Sequence, residues 1–524
     1  MDRLLKKYAS TNNLFLLVNL LLLICFFCQL ERIGTGNYFN SDSLYLPSIY
    51  RDIFVDGNSF KSWHLNGAPN FFPDMLVYFV IIFFSGGNLI IASFIFSLVQ
   101  FFFILFLFVK IFKAILPGRS ARFYSIIYLF QSLWLLEVFY FSGNFIFVYF
   151  LLSNSYHTGS FVMTLCSFLI VIDFLKSPTK LKLLALFVLV LLSAFSDRLF
   201  ILLFFVPLIF SCLFFFRKRF WPMVQLVLFC GGACWLSTWL YDAINATNYI
   251  YFFEPDLHLS VERTTAAYNL FFHLAKEYTF DFGYRSICIY LFVVSIGGLI
   301  FILATKRKKI DGILKFFVLF TLSQSMVVLF APVVIGNFTG YDCLRYNIYP
   351  LYLTGLNLAV VFAVGFRFPA KVKLLSAYIT LILAFFMLIS GFANFNYRGL
   401  QNFFSYYPET AKRLDEVAEK HGLLNGVANF WYAKSTSMFS KRGIRVVAVY
   451  DGLFPYLPIT NENWFFNQNN KFNFVLLNNF TDTSQYKGKL LQYDKLYDEE
   501  KFKLVKTNEF TFDRNSGMMK NTIK

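Results

Sequence analysis

Long apolar runs separated by short polar turns dominate the first three quarters of the chain. The first is Asn13–Leu30, and others cover 88–109, 123–141, 159–175, 181–195, 199–216, 221–240, 285–304, 312–333, 346–366 and 372–392. A bilayer crossing takes about 20 apolar residues, so this pattern predicts eleven transmembrane helices. Met75–Phe84 is apolar for too short a distance to cross and follows Pro73 and Asp74. It predicts an interfacial or re-entrant helix in the first long loop. After residue 392 the pattern changes. Tyr407–His421 follows the helical period, while Ile444–Tyr450 and Phe472–Leu477 read as short buried strands. The fold class expected is therefore an α-helical polytopic membrane protein, with a membrane domain at 1–392 and a small α/β domain at 393–524.

Charge orients these elements. Of 524 residues, 57% are hydrophobic and 15% charged, against roughly 25% charged in soluble chains, which excludes an ordinary cytosolic enzyme. The net charge of +17 would invite a nucleic-acid partner in a soluble protein. Position argues for no nucleic acid. Lys110, Lys113, Arg119 and Arg122, then Lys176, Lys180 and Lys182, then Arg217–Arg219, Lys306–Lys309, and Arg367, Lys371 and Lys373 all share one side once Met75–Phe84 is left out of the span count. That is the positive-inside pattern. Arg3, Lys6 and Lys7 precede the first run, and no small-residue cleavage site follows it. The reading is a retained first helix with its amino end in the cytoplasm, in a membrane of the bacterial inner-membrane type. Loops 31–87, 142–158, 241–284 and 334–345, and the tail, then lie outside, periplasmic or extracellular. Seven of the eight cysteines sit in apolar runs and Cys343 is alone in a loop, so no disulfide framework is expected. Cys25 and Cys28 read as packing residues.

The first outer loop concentrates the polar chemistry: Asn40-Ser41-Asp42-Ser43-Leu44-Tyr45-Leu46-Pro47, then Tyr50-Arg51-Asp52-Ile53-Phe54, then Asn66-Gly67-Ala68-Pro69-Asn70-Phe71-Phe72-Pro73-Asp74. A carboxylate at the outer boundary suits a general base for a hydroxyl arriving from outside. Asp42 equally has the position of an N-cap for a helix over Ser43–Phe54. Asp197-Arg198, at a tight turn, reads as an ion pair holding the turn or as a phosphate contact. His157 stands in the loop Ser153–Gly159, and Tyr341 and Asp342 precede Arg345. Glu137 lies inside an apolar run, where a charge costs about 2.5–3.5 kcal/mol, so it should face the bundle interior or snorkel. Five scattered His and no His-Glu-x-x-His spacing argue against a transition-metal site, while loop carboxylates suit a divalent cation such as Mg²⁺, Mn²⁺ or Ca²⁺. No Gly-rich phosphate loop is present, which argues against a nucleotide site. Sequons at Asn245-Ala246-Thr247, Asn337-Phe338-Thr339 and Asn479-Phe480-Thr481 fall outside. In the tail, Trp431, Tyr432, Phe454, Tyr456 and Trp464 suit either a core or stacking on sugar rings.

Asp42 to Tyr45, Arg51-Asp52, Asn66-Gly67 with Pro69, and Phe72-Pro73-Asp74 before an apolar helix and a span ending in basic residues resemble the opening of GT-C superfamily glycosyltransferases. The branch most similar is that of the protein O-mannosyltransferases and lipid A aminoarabinose transferases. Far downstream, Arg345-Tyr346-Asn347-Ile348-Tyr349-Pro350 looks like the Arg-Tyr and Pro pattern that opens a late span there. The resemblance implies inverting transfer of a sugar from a polyprenyl-phosphate donor to an extracytoplasmic acceptor, among membrane lipids. By correspondence, Asp42 is the base and Arg345 contacts the donor phosphate. Tyr45, Asp74, His157, Asp197, Tyr341 and Asp342 are candidates for binding substrate. Relatives place Glu-Lys-Pro or His-Pro-Pro before the interfacial helix, where this chain has Phe72-Pro73-Asp74. The basic group offered there is absent, and Arg198 is a candidate replacement on the phosphate. Three other readings compete: a transporter or flippase for a lipid-linked glycan, which predicts charges through many spans, an outer-face polymerase or ligase of surface glycan, and a non-catalytic scaffold that binds through its tail.

Overall fold

The computed structural model describes residues 2–119, 122–140, 147–215, 220–253, 260–281, 283–306, 310–365, 370–450, 452–467, 469–477, 493–499, 502–516 and 519–521. Arg217–Arg219, Arg307–Lys309 and Arg367 of the basic clusters, part of the 142–158 loop, and the sequon at Asn479 lie outside the described residues.

Six helices are long and apolar enough to cross a bilayer: Asn12–Ile33, Leu89–Ile115, Thr158–Lys176, Phe220–Ala246, Arg285–Lys306 and Gly312–Val334. A seventh is added if Leu381–Asn394 and Tyr397–Phe404, bent by 66°, count as one span. The chain is thus a helical integral membrane protein. The other four apolar runs form shorter helices, Phe123–Phe139, Lys180–Ser196, Ile201–Phe215 and Thr354–Gly365. A helix of 17 residues covers about 25 Å, less than the ~30 Å hydrocarbon core. The last of the four is short because its run is broken: Leu344–Asn347, Tyr349–Tyr352 and Thr354–Gly365 are separate pieces, with Pro350 unable to continue a helical hydrogen-bond ladder. Arg345 sits on the polar end of this broken run. Met75–Phe84 falls on a π-helical turn, Phe71–Met75, followed by the helix Leu76–Phe84.

Side chains inside the bundle are packed and paired. Glu137 faces inward, 3.1 Å from Arg285 Nε, and also accepts the Val148 amide. A buried carboxylate is tolerable there because a guanidinium and a backbone N–H replace its water. All eight cysteines are free. Gly399 lets the helix Tyr397–Phe404 lie on the first one: a Cβ there would stand 2.1 Å from the Cys28 carbonyl oxygen.

Nine strands occur among the described residues: β1 (Trp63–Leu65), β2 (Tyr251–Phe252), β3 (Asn425–Ala428), β4 (Val446–Ala448), β5 (Thr460–Asn461), β6 (Phe472–Leu476), β7 (Tyr493–Glu499), β8 (Phe502–Phe512) and β9 (Met519–Asn521). In the tail the order is β4-β3-β6-β8-β7, with β9 also on β8. β3 runs parallel to β4 and β6, and β8 antiparallel to its neighbours. Leu414, Phe474 and Leu504 fill one face and Val427, Val475 and Phe510 the other, as a sheet buried on both sides requires. The helix Glu409–His421 and the strands near 446 and 472 stand where the sequence pattern puts them.

A second sheet, ordered β2-β1-β5, sews the tail to the loops. Beside it Asp52, buried, accepts hydrogen bonds from Asn58 Nδ2, Trp63 Nε1, Asn461 Nδ2 and Trp464 Nε1 at 2.6–2.9 Å. Two of these donors come from the first loop and two from the tail. Trp464 is therefore a structural ring, committed to Asp52 and to Trp63.

Candidate functional site

The site begins with a capping choice. Asn40 Oδ1 accepts the amides of Asp42 and Ser43, both at 3.0 Å, which satisfies the donors that open this turn. The helix opens at Tyr45, runs to Tyr50 and continues as a π-helical turn over Arg51–Val55. Asn40 rather than Asp42 is the capping residue, and the Asp42 carboxylate is left to turn elsewhere. It meets Arg345, whose Nη1 lies 3.2 Å from Asp42 Oδ2. Both side chains keep access to solvent, at 22% and 23% exposure.

Arg345 is held by its own neighbour and from one further loop. Its Nη2 lies 3.3 Å from the Tyr346 hydroxyl, and its guanidinium stands 5.2 Å from the Tyr346 ring and 6.0 Å from the Tyr156 ring. Tyr156 in turn is hydrogen-bonded to the Asn40 side chain at 2.7 Å. Burial and then the nearby Asp42 charge push the Tyr156 phenol up, so it stays a neutral donor. Arg345 Nε is buried with no hydrogen-bond partner among the described residues, an uncommon state for so strong a donor.

The tail closes the other side. Ser41 Oγ donates to the Phe430 carbonyl at 2.7 Å. Four residues further along that helix comes Lys434, only 6% exposed, which donates to the Ile459 carbonyl at 2.9 Å. Its ammonium stands 5.8 Å from the Tyr45 ring and 5.9 Å from Phe430. Burial pulls Lys434 down to about 7, against the opposing pull of Asp42. Tyr45 is itself buried, with its hydroxyl 3.4 Å from the Pro69 carbonyl, and burial pushes its phenol up.

Two cavities meet on the Asp42–Arg345 pair. A tail-side cavity of about 630 Å³ is lined by Asn66, Phe253, Asn429, Phe430, Trp431, Tyr450 and Tyr456 among others. A helix-side cavity of about 520 Å³ is lined by Asn37, Asn40, Tyr149, Phe150, Ser153, Tyr156 and Tyr341. Asp42, Asp342, Arg345 and Trp431 belong to both walls. A larger space of about 1060 Å³ lies elsewhere, among Leu175, Phe215, Leu303 and Phe316. Its walls are mainly apolar, with Lys176, Asp311 and Lys315 as their charged side chains.

A second polar group connects through Tyr346, whose ring lies 5.1 Å from that of His157. His157 Nδ1 is 2.8 Å from Asp197 Oδ2, which also accepts Ser160 Oγ at 2.7 Å, while Asp197 Oδ1 accepts the Leu199 amide. Burial pushes the Asp197 carboxyl up, but His157, Ser160 and Leu199 together outweigh it and hold it low. Asp74 lies against Gly159, where an added Cβ would stand 2.2 Å from its Oδ2. Burial first, and then the charge of Asp197, push Asp74 up to about 7.

The structure therefore brings Asp42, Arg345, Asp342 and Tyr341 to shared cavities, and puts His157, Asp197 and Asp74 in an adjoining buried group. It does not bring Arg198 in. Asp197 turns to His157, and the guanidinium of Arg198 lies 3.9 Å over Tyr241 and 3.5 Å from Asp242. Tyr341 points its hydroxyl to Glu277 at 3.5 Å. No group of three or more His, Cys, Asp or Glu side chains suited to a metal occurs among the described residues. A divalent ion on Asp42 and Asp342 would need oxygens from a bound substrate to complete its shell. Lys434 escaped the sequence reading, because beside Ser435-Thr436-Ser437 it looks like an ordinary solvated charge. Compared with known proteins, the chain matches no family model and no curated protein.

Proposed function

We propose that this protein is a membrane glycosyltransferase of the GT-C type, moving a sugar from a polyprenyl-phosphate donor to an acceptor on the outer face. The observation that carries the reading is the 3.2 Å Asp42–Arg345 pair on the wall common to two cavities. In an inverting displacement, the acceptor oxygen bonds to the anomeric carbon while the bond from that carbon to the phosphate oxygen breaks. The acceptor proton goes to Asp42, and the bonding electrons leave on the phosphate. A carboxylate and a guanidinium side by side suit those two tasks, and the arginine fork suits a phosphate. The donor's lipid enters along the helix-side cavity and the acceptor through the tail-side one. Before substrate arrives, each of the pair neutralises the other. A phosphate that takes the fork, including the unpartnered Nε, releases Asp42 to act as base.

In this reading the amino end is cytoplasmic, the tail is outside, and the four shorter apolar helices complete eleven crossings of a bacterial inner membrane. The test is sugar transfer by the detergent-purified protein from a panel of polyprenyl-phosphate sugars to extracted envelope acceptors, comparing wild type with Asp42→Asn. Loss of about 10²–10⁴-fold with folding intact is expected for removal of a general base. Equal activity removes Asp42 from the mechanism, and a wild type silent across the panel overturns the reading.

A further inference from the structure

The tail-side cavity has a wall of touching aromatic rings. Phe430 stands 5.0 Å from Trp431 and 4.8 Å from Tyr456, and Tyr456 stands 4.8 Å from Tyr450. The outermost rings are bare: Trp431 is 53% exposed, Tyr450 50%, and Phe253, on the same cavity, 49%. Rings of this size are more often found covered, and these are gathered at one mouth instead of being scattered. Asn66, Asn429 and Asp342 line the same space.

Flat apolar faces interleaved with amides and a carboxylate match a pyranose. Its C–H face packs on an aromatic ring while its hydroxyls donate to and accept from the polar groups at the edge. A lipid tail would gain nothing from the carboxylate and amides. A volume of about 630 Å³ lies well within the range of small-ligand sites, roughly 300–1,000 Å³, and far exceeds what one hydroxyl-bearing side chain needs. Trp431 also borders the helix-side cavity, so a sugar stacked on it lies beside Asp42.

We propose that the tail-side cavity binds carbohydrate, with Trp431 and Tyr450 as its stacking platform, and that the acceptor is therefore a glycan. The second clause rests on the transferase reading; the first does not. The experiment is isothermal titration calorimetry on the full-length protein in detergent with free oligomers of glucose, mannose, galactose and N-acetylglucosamine. Wild type, Trp431→Ala, Trp431→Phe and Asp42→Asn are compared, alongside the transfer assay. Because the Trp431 side chain is largely exposed, its removal leaves the core intact, and far-ultraviolet circular dichroism checks this. Expected is binding of at least one oligomer, weakened about tenfold in Trp431→Ala, equal to ~1.4 kcal/mol, and largely kept in Trp431→Phe. No binding of any oligomer, or binding indifferent to Trp431→Ala, overturns the proposal. Transfer to a Ser/Thr peptide that is unaffected by Trp431→Ala overturns the glycan acceptor while leaving the transferase intact. Trp431-dependent binding without any transfer supports the carbohydrate site and removes the transferase.

Discussion

Replacing Lys434 with Met tests the energetics of the junction between tail and loops. Lys434 is buried, and its ammonium falls from an ordinary 10.5 to about 7. That gap corresponds to about 5 kcal/mol. Below pH 7 the lysine is protonated both folded and unfolded, and the folded state bears the whole cost. Between about 7 and 10.5 the folded state sheds the proton while the unfolded chain keeps it, so stability rises with pH. Above 10.5 the cost is gone. Met fills similar space and never carries charge, but it leaves the Ile459 carbonyl without its donor, a loss of about 1 kcal/mol. The variant should therefore be more stable than wild type by about 4 kcal/mol near pH 6 and slightly less stable near pH 10. Urea unfolding of the full-length protein in detergent, followed by tryptophan fluorescence across this pH range, measures the difference. A difference that stays constant with pH refutes a neutralised Lys434.

Three further outcomes follow from the geometry. Asp52→Ala strands four donors, those of Trp63 and Asn461 buried, each hydrogen bond to the carboxylate being worth about 1.5–3 kcal/mol; limited proteolysis should then release the tail, where wild type resists. Asp74→Asn should be more stable than wild type above pH 7, with the advantage vanishing below the ordinary carboxyl range near 4, because a raised carboxyl loses stability as pH rises through that interval. Thermal unfolding at pH 4 and pH 8 reads this, and an advantage equal at both values contradicts it. Arg345→Lys keeps the charge but not the fork, so turnover should fall by about 10²-fold or more; unchanged turnover would show that the guanidinium geometry is idle.

Much of this site could be read from residue order, because Asp42 and Arg345, 303 positions apart, each sit in a polar motif flanked by apolar runs. What residue order left open was how each polar group spends its bonds. Asn40 and Asp42 are both good caps, and only the fold decides that Asn40 takes the amides. Asp197-Arg198 looks like a pair by adjacency, yet successive side chains diverge, and each found a partner brought in from another element. Hydropathy marks an apolar run without registering that Pro350 breaks it, which is why the 346–366 run becomes three pieces. Of the tail strands only β4 and β6 were legible; β7 and β9, for example, are too polar at Tyr493-Asp494-Lys495 and Met519-Lys520-Asn521 to look like buried strands. Lys434 looks like surface charge until the tail docks on Tyr45.

The small sheet of β1, β2 and β5 bears on how the protein is made. Asp52 and Asn461, its partner in β5, are 409 residues apart. During synthesis β1 emerges early and stands with one edge unpaired until nearly the whole chain has been inserted. An exposed edge invites wrong pairing, and this one stays open for most of the chain's synthesis. A chain stopped before β5 leaves that edge open and lacks two of the four donors to Asp52.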